Sequence, residues 1–377
     1  KIVKITLFFT YGISLDDWDS SGILKRELEI YKKIYKENKI EFNLITYGGD
    51  KDLELQDFEG IEVFPVYSKL KYSKNKYIGI FKSFLIPFVF KDVIKGSNIL
   101  KTNQLKGSWV AIISKIFYKK PLIIRTGYDL LRWSNYQNKT ILNRTLVRLL
   151  TKISLVFSNQ YNVSTLSDKS FLEMQFGIKD KIKLRPNFVD LEQFVNRNEK
   201  KLEEILFVGR LEHQKNLDFL INEYKKYDLP KLNIIGNGTY LNKLQSEINK
   251  NSLNINYIKP IPNTELPNYY NKYRYFILCS HYEGNPKTLI EAMACGSIVI
   301  GNDVDGINNI ITDNFNGFLI KCNEGDLKRT LDKISIENYK LESIQSNAIN
   351  FVVENHSLES LTKTELSDYD KLLDLKI

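Results

Sequence analysis

Only three cysteines occur in the 377 residues, and no two of them stand at metal-ligand spacing. Cys279, Cys295 and Cys322 therefore exclude a disulfide-stapled scaffold and a cysteine zinc site, and the odd count points to a reducing compartment. Histidine is as scarce. His213, His281 and His356 are too scattered in sequence to suggest a metal site. No run of 18 apolar residues occurs, so no membrane-spanning helix is expected. The opening KIVKITLFFT is too short and too strand-like for a secretory signal, which leads to the expectation of a cytoplasmic protein. After the first strand the chain reads YGISLDDWDSSGILKRE and lacks Gly-x-Gly-x-x-Gly, which counts against a nicotinamide dinucleotide site there.

Acids are nearly missing from one long stretch. Residues 64–152 hold 18 Lys and Arg but only Asp92 and Asp129 as acids, a balance of +16. Residues 1–195 hold 32 basic and 20 acidic residues, or +12, while the remainder holds 22 and 25, or −3. A genome-wide composition bias would not confine the excess to one half. A basic surface on one domain implies an anionic partner: a membrane, a nucleic acid or an acidic substrate.

What is present reads as a two-domain α/β protein, 43% hydrophobic and 26% charged. Strand candidates in the first half are IVKITLFF, EFNLITY, IEVFPV, NILKT, PLIIRT and LVFS, with helices expected over 22–38, 77–95, 106–118 and 137–151. After RPNFVDLEQF, the charged NRNEKKLEE reads as a linker, and alternation restarts with ILFVGR, KLNIIG, INYI, YFILCS, SIVIG and GFLI. Alternating β and α elements predict two doubly wound, Rossmann-like domains facing across a cleft, with ligands beyond the carboxyl ends of the strands. The expected division is 1–195 and 196–357, with a crossing helix near 358–377 added to the first domain.

The stretch HYEGNPKTLIEAMACG, 281–296, places Glu291 inside an apolar run. Asn285 predicts an N-cap, Pro286 the first helical position and Gly296 the end, so a helix is expected over about 286–295. A carboxylate buried there needs partners: a neighbouring cation, or ligand hydroxyls such as a ribose supplies. In FVGRLEHQKNLDFLI, Gly209 and Arg210 end a strand and Lys215 opens the next helix, a cradle suited to a diphosphate. IIGNGTYLNKL puts Gly236 and Gly238 at another strand-to-helix turn. In NDVDG, Asp303 and Asp305 could hold a divalent cation or simply face solvent.

GRLEHQKN, GNGTY, EGNPKTLIEAMACG and NGFLI, in this order over about 185–320, resemble the C-terminal half of the retaining nucleotide-sugar glycosyltransferases of family four, the glycogen-synthase-like group with the GT-B fold. RPNFVDLEQF resembles the family stretch before the domain linker, and SLESLTKTELSDYDKLL the C-terminal helix that crosses back. The resemblance implies that Glu291 holds the nucleotide ribose and Glu283 faces the donor sugar. It also implies that Arg210 and Lys215 clamp the diphosphate. Gly209, Asn285, Pro286, Lys287, Thr288, Gly236, Gly238, Ile258 and, in the first domain, Gly22 would complete the donor site. It further implies a metal-independent hexosyltransferase without a cofactor, its substrate a UDP- or GDP-sugar. Three departures stand out. The chain reads Asp305-Gly306-Ile307-Asn308-Asn309 where the family often has Gly-Gly-x-x-Glu. Lys259 replaces a common glycine. RTGYDLL lacks the family's first-domain histidine, for which Arg125, Tyr128 and Asp129 are the substitutes.

Trp18, Lys106, Tyr128, Asp129 and Trp133 are acceptor-side candidates. The acceptor is expected to be a glycan or a lipid-linked glycan in surface polysaccharide biosynthesis. The stretch KLKYSKNKYIGIFKSFLIPFVFKDVIK, 69–95, suggests peripheral docking at the inner face of an anionic membrane, with Phe81, Phe84 and Phe88 either partly inserted or packed on the first sheet. A related epimerase is the rival enzyme reading. A nucleic-acid-binding protein is the rival from another class, but no recognised nucleic-acid motif is present.

Overall fold

The computed structural model describes residues 2–55, 57–136, 140–337 and 340–374. The chain divides into two units, Lys1–Arg185 with Leu361–Ile377, and Pro186–Ser360.

The first unit is built on seven parallel strands: β1 (Lys4–Phe8), β2 (Glu41–Thr46), β3 (Ile61–Pro65), β4 (Ile99–Thr102), β5 (Leu122–Arg125), β6 (Gln160–Val163) and β7 (Ile182–Leu184). Their order is β3-β2-β1-β4-β5-β6-β7, with Ile5 in register with Phe42 on one side and Ile99 on the other. Helices cover both faces, which is why β1 and β4 are buried almost throughout rather than alternating. Strand order reverses between β1 and β4, where the loops after both strands meet: the Tyr11 N–H donates to the Lys106 carbonyl at 3.0 Å.

The second unit has six parallel strands: β8 (Leu202–Val208), β9 (Leu232–Ile235), β10 (Ile255–Ile258), β11 (Tyr273–Leu278), β12 (Ile298–Asn302) and β13 (Phe318–Ile320). Their order is β10-β9-β8-β11-β12-β13, reversing between β8 and β11.

The expected α/β class and both doubly wound sheets are present. Several local expectations are corrected. LVFS is not a strand but the end of the helix Ile141–Phe157, which turns Thr151, Ser154 and Leu155 inward at helical spacing. The strand there is β6, which begins at Gln160. The 77–95 segment is broken into Lys76–Ser83, Ile86–Val89 and Lys91–Gly96, because Pro87 supplies no N–H to carry one helix through. The boundary falls at Arg185, ten residues before the one expected near 195. Val189 and Phe194 are buried in the second core, and Val189 is bonded on both sides, its N–H to the His356 carbonyl and its carbonyl from the Leu358 N–H. The last helix, Leu358–Leu373, contributes Glu365, Asp368 and Tyr369 to the interior of the first unit.

Candidate functional site

In the second unit strand order reverses between β8 and β11, and the strands' carboxyl ends at such a reversal are where doubly wound sheets bind ligands. The loop after β8 carries Gly209, Arg210 and Lys215. The loop after β11 carries Ser280 to Glu283. Three contacts join them, and a fourth, from Ser280 to Glu283, braces the second loop internally. The Lys215 ammonium donates to Glu283 Oε1 at 2.5 Å, the Ser280 hydroxyl to the same oxygen at 2.6 Å, the Gln214 amide to the Tyr282 carbonyl at 2.8 Å, and the His281 N–H to the Gln214 carbonyl at 2.8 Å. Lys215 and Glu283 are 68 positions apart in sequence and their side chains are only 12% and 8% exposed. Arg210 is exposed beside them.

Two glycines let a third loop close in. A Cβ on Gly236 would lie 1.9 Å from the Gly209 carbonyl oxygen, and one on Gly238 2.3 Å from that of Leu211. Both residues are glycine because backbone approaches backbone, not merely because a turn is tight. Gly306, in the DVDG loop, does the same behind Glu283: its Cβ would lie 2.1 Å from the Gly284 carbonyl oxygen. Ile258 ends β10 half-buried, beside Tyr257, whose hydroxyl donates to the Gly236 carbonyl at 3.1 Å.

The helix expected over 286–295 is Lys287–Ala294, with Pro286 as its N-cap. Asn285 is not a side-chain cap. Its Oδ1 accepts from the Asn187 N–H at 2.9 Å and its carbonyl from the Asn187 side chain at 2.6 Å, so it ties the second unit's first residues to the helix start. Lys287 and Thr288 are half-buried in the first turn, the Lys287 ammonium 5.4 Å from the Phe188 ring centre. Glu291 is 2% exposed, and its carboxylate accepts from the Tyr270 hydroxyl at 3.0 Å and the Asn263 amide at 3.3 Å. Neutral donors thus help to satisfy the buried charge that the sequence left open.

Sequence spacing missed Ser280, Gln214, Asn187, Asn263 and Tyr270. Only Ser280, three residues before Glu283, carried a local signal. It also missed that His213 and His281 meet, with ring centres 5.2 Å apart. Burial, helped by His213, lowers the His281 pKa. Among the described residues, no group of three or more His, Cys, Asp or Glu is arranged to hold a metal ion. Asp303 accepts from the Asn308 amide at 3.1 Å, and Asp305 offers its carbonyl to the Glu283 N–H at 3.3 Å.

The first-unit candidates separate. Lys106 is exposed at the β1/β4 reversal, its ammonium 5.9 Å from the Tyr11 ring centre. Tyr128 is 38% exposed and packs on Trp133 at 4.5 Å. Gly22 is exposed after a short helix. Trp18 is buried against Phe9 at 4.3 Å, so its ring offers no surface to an acceptor. Arg125 ends β5 half-buried. Asp129 is fully buried and accepts from the Arg132 N–H at 2.7 Å, which makes it a helix cap rather than a surface contact. Burial pushes its pKa up to about 7, with Asp168 adding to the rise. The native state therefore holds this proton more tightly than the unfolded chain. The resulting loss of stability sets in as pH rises above the unfolded value near 4 and is complete above about 7. Asp129→Asn keeps the capping oxygen and removes the charge. Thermal melts of the variant at pH 8 should exceed wild type by about 1–2 kcal/mol of stability and flatten the pH dependence between 5 and 8. An unchanged pH profile would refute the buried-proton account.

Residues 189–351 match the family described as Glycosyl transferases group 1. The chain is 29% identical over 283 residues to the O-antigen biosynthesis glycosyltransferase WbnH of Escherichia coli, covering 73% of this chain and 79% of that protein. It is 28% identical over 244 residues to a Campylobacter jejuni α-1,4-N-acetyl-D-galactosaminyltransferase whose name gives a diNAcBac-PP-undecaprenol-linked acceptor, covering 62% and 64%. Anabaena Alr3699/HepE, solved in complex with UDP, superposes with a TM-score of 0.75 at 15% identity over 98% of this chain and 100% of that one. The match to the group 1 model lies within the second unit, and the two Rossmann-like halves have the GT-B fold.

Proposed function

We propose that this chain is a retaining glycosyltransferase that moves a hexose-type sugar from a UDP- or GDP-sugar to a glycan or lipid-linked glycan in surface polysaccharide biosynthesis. The observation that carries the reading is the Lys215–Glu283–Ser280 cluster bridging the β8/β11 reversal. Cations at a helix start suit a diphosphate leaving group, whose negative charge grows as the glycosidic bond breaks. Lys215 is paired with Glu283 in the free protein, so an arriving diphosphate takes over part of that ammonium's attention and leaves Glu283 to face the sugar. Departure of the diphosphate with the bonding electrons, and attack by an acceptor hydroxyl on the same face, retain the anomeric configuration. WbnH and the Campylobacter enzyme support the glycan and lipid-linked acceptor classes, and the Anabaena complex supports UDP.

A thermal-shift screen against UDP, GDP, ADP and their sugars tests the donor. Stabilisation by none of them would defeat the reading, and interconversion of the sugar without transfer would favour an epimerase. Glu291→Gln should weaken nucleotide binding by about 1–3 kcal/mol if the carboxylate holds ribose hydroxyls. Unchanged affinity with lowered stability would leave it only its Tyr270 and Asn263 contacts. Activity should persist in EDTA, and a metal-reversible loss would make Asp303 and Asp305 ligands.

The reading includes a cytoplasmic enzyme held at the inner face of an anionic membrane. Phe81 is 74% exposed, and Phe84 and Phe88 more than 40%, while Ile86, Pro87 and Phe90 supply the inward packing. No described helix is long and apolar enough to cross a membrane.

A further inference from the structure

The exposed aromatics of 69–95 are not the only apolar surface of the first unit. The helix Ile141–Phe157 presents Leu142, Leu146, Leu149, Ile153, Val156 and Phe157 to solvent, each at least 36% exposed. Only Thr151, Ser154 and Leu155 of this helix are fully buried, with Leu150 partly buried against the core. A helix that buries Thr and Ser while exposing a stripe of Leu, Ile, Val and Phe is inverted relative to an ordinary surface helix. Arg148 and Lys152, one turn apart, are exposed on the same helix.

This stripe is joined to the 69–95 surface through the helix Ser108–Tyr118. On one side the Ser108 and Ser154 hydroxyls meet at 3.0 Å. On the other, Trp109 Nε1 donates to the Ser83 hydroxyl at 2.8 Å, the Tyr118 hydroxyl donates to the Pro87 carbonyl at 3.0 Å, and Phe117 packs on Phe88 at 4.9 Å. Ile116 and Phe117 are themselves more than half exposed. Between Asp92 and Asp168 the only acid in the sequence is Asp129, which is fully buried. The surface made by this part of the chain therefore carries cations and no carboxylate side chain.

We propose that the Ile141–Phe157 helix is a second membrane-docking element, lying in the plane of an anionic bilayer with Leu142, Leu146, Leu149, Ile153 and Val156 in the acyl boundary and Arg148 and Lys152 at lipid phosphates. It rests on the reading that a bilayer faces this unit and extends the contact from the 69–95 segment across the helices Ser108–Tyr118 and Ile141–Phe157. Charge selects the occupant. A two-fold pairing of this face with a second copy would set its cations against their equivalents, whereas anionic lipid complements them.

The test uses the full chain with phosphatidylcholine vesicles, with and without phosphatidylglycerol, in flotation at low salt. Leu142→Glu/Leu146→Glu/Leu149→Glu should lower partitioning at least ~10²-fold, since three inserted aliphatic side chains become charged. These side chains are more than half exposed, so thermal unfolding and the nucleotide-induced thermal shift should stay at wild-type values. As a second measurement, Leu149→Trp should give a blue-shifted emission on adding anionic vesicles, relative to the parent protein. If wild type floats and the triple variant floats equally well, the inference is overturned while docking through 69–95 stands. No flotation of wild type would overturn both. Loss of a concentration-dependent dimer in the triple variant, with flotation intact, would assign the stripe to a second copy instead. Transfer to a soluble acceptor analogue reads the proposed sugar transfer separately from all of these outcomes.

Discussion

Lys215→Ala is expected to cut turnover with a nucleotide-sugar at least ~10²-fold, the scale for removing one preorganised charge stabiliser, while binding of the free nucleoside barely changes. The expectation follows from where the ammonium sits. It lies at the reversal between β8 and β11, only 12% exposed, with Glu283 as its partner. A largely buried charge is worth more to a developing phosphate charge than the same charge in water. Arg210→Ala should act in the same direction. The loop should survive the loss of Lys215. Glu283 keeps the Ser280 hydroxyl, and Gln214 still bonds the Tyr282 and His281 backbone. Some stability is nevertheless lost, because Glu283 stays largely buried without its cation, and thermal melts of the variant separate that loss from the kinetic effect. Equal losses of nucleoside and nucleoside diphosphate binding would remove Lys215 from the phosphate site.

The same pair shows what the sequence could and could not reveal. Gly209, Arg210 and Lys215 were legible as a strand end and helix start because that signal is local. Their meeting with Glu283 was not, since it depends on β11 crossing over to lie beside β8. His213 and His281 failed for the same reason: scattered in the chain, they are neighbours across that crossover. Local signals also misled where one pattern serves two structures. The apolar LVFS fits a strand or a helix end, and packing of Ser154 and Leu155 on the first unit settles it as helix. Asn285 has the chemistry of a cap, but Asn187, far away in sequence, takes its side chain. The alternating pattern itself gave both sheets, because each parallel strand must be apolar along its whole length when helices cover both faces.

A second buried Lys–Glu pair should behave quite differently from Lys215 and Glu283. Lys101, on β4, donates to Glu365 of the last helix, and their side chains are 1% and 5% exposed. Tyr369 also donates to Glu365, and the Lys101 ammonium lies 3.3 Å from the Tyr369 hydroxyl. One turn away Arg185 grips Asp368 at 2.8 and 2.5 Å, and Gln160 donates to the same carboxylate at 2.6 Å. Burial alone would raise the Glu365 pKa. The Lys101 charge and hydrogen bond, joined by the Tyr369 hydroxyl and the Arg125 charge, outweigh it, so the carboxyl is held below its ordinary value. This contribution to stability is present above the unfolded pKa near 4 and is lost as pH falls through the folded one. Lys101→Met leaves the carboxylate buried without its cation, which should cost about 3–5 kcal/mol in urea unfolding at pH 8. In that variant burial acts unopposed by Lys101, so the Glu365 pKa should rise and stability should fall with increasing pH, the opposite slope to wild type. Lys101→Met/Glu365→Leu should recover most of the loss, because two apolar groups need no charge partner. If the single variant is as stable as wild type at pH 8, the pair does not hold the last helix on the first sheet.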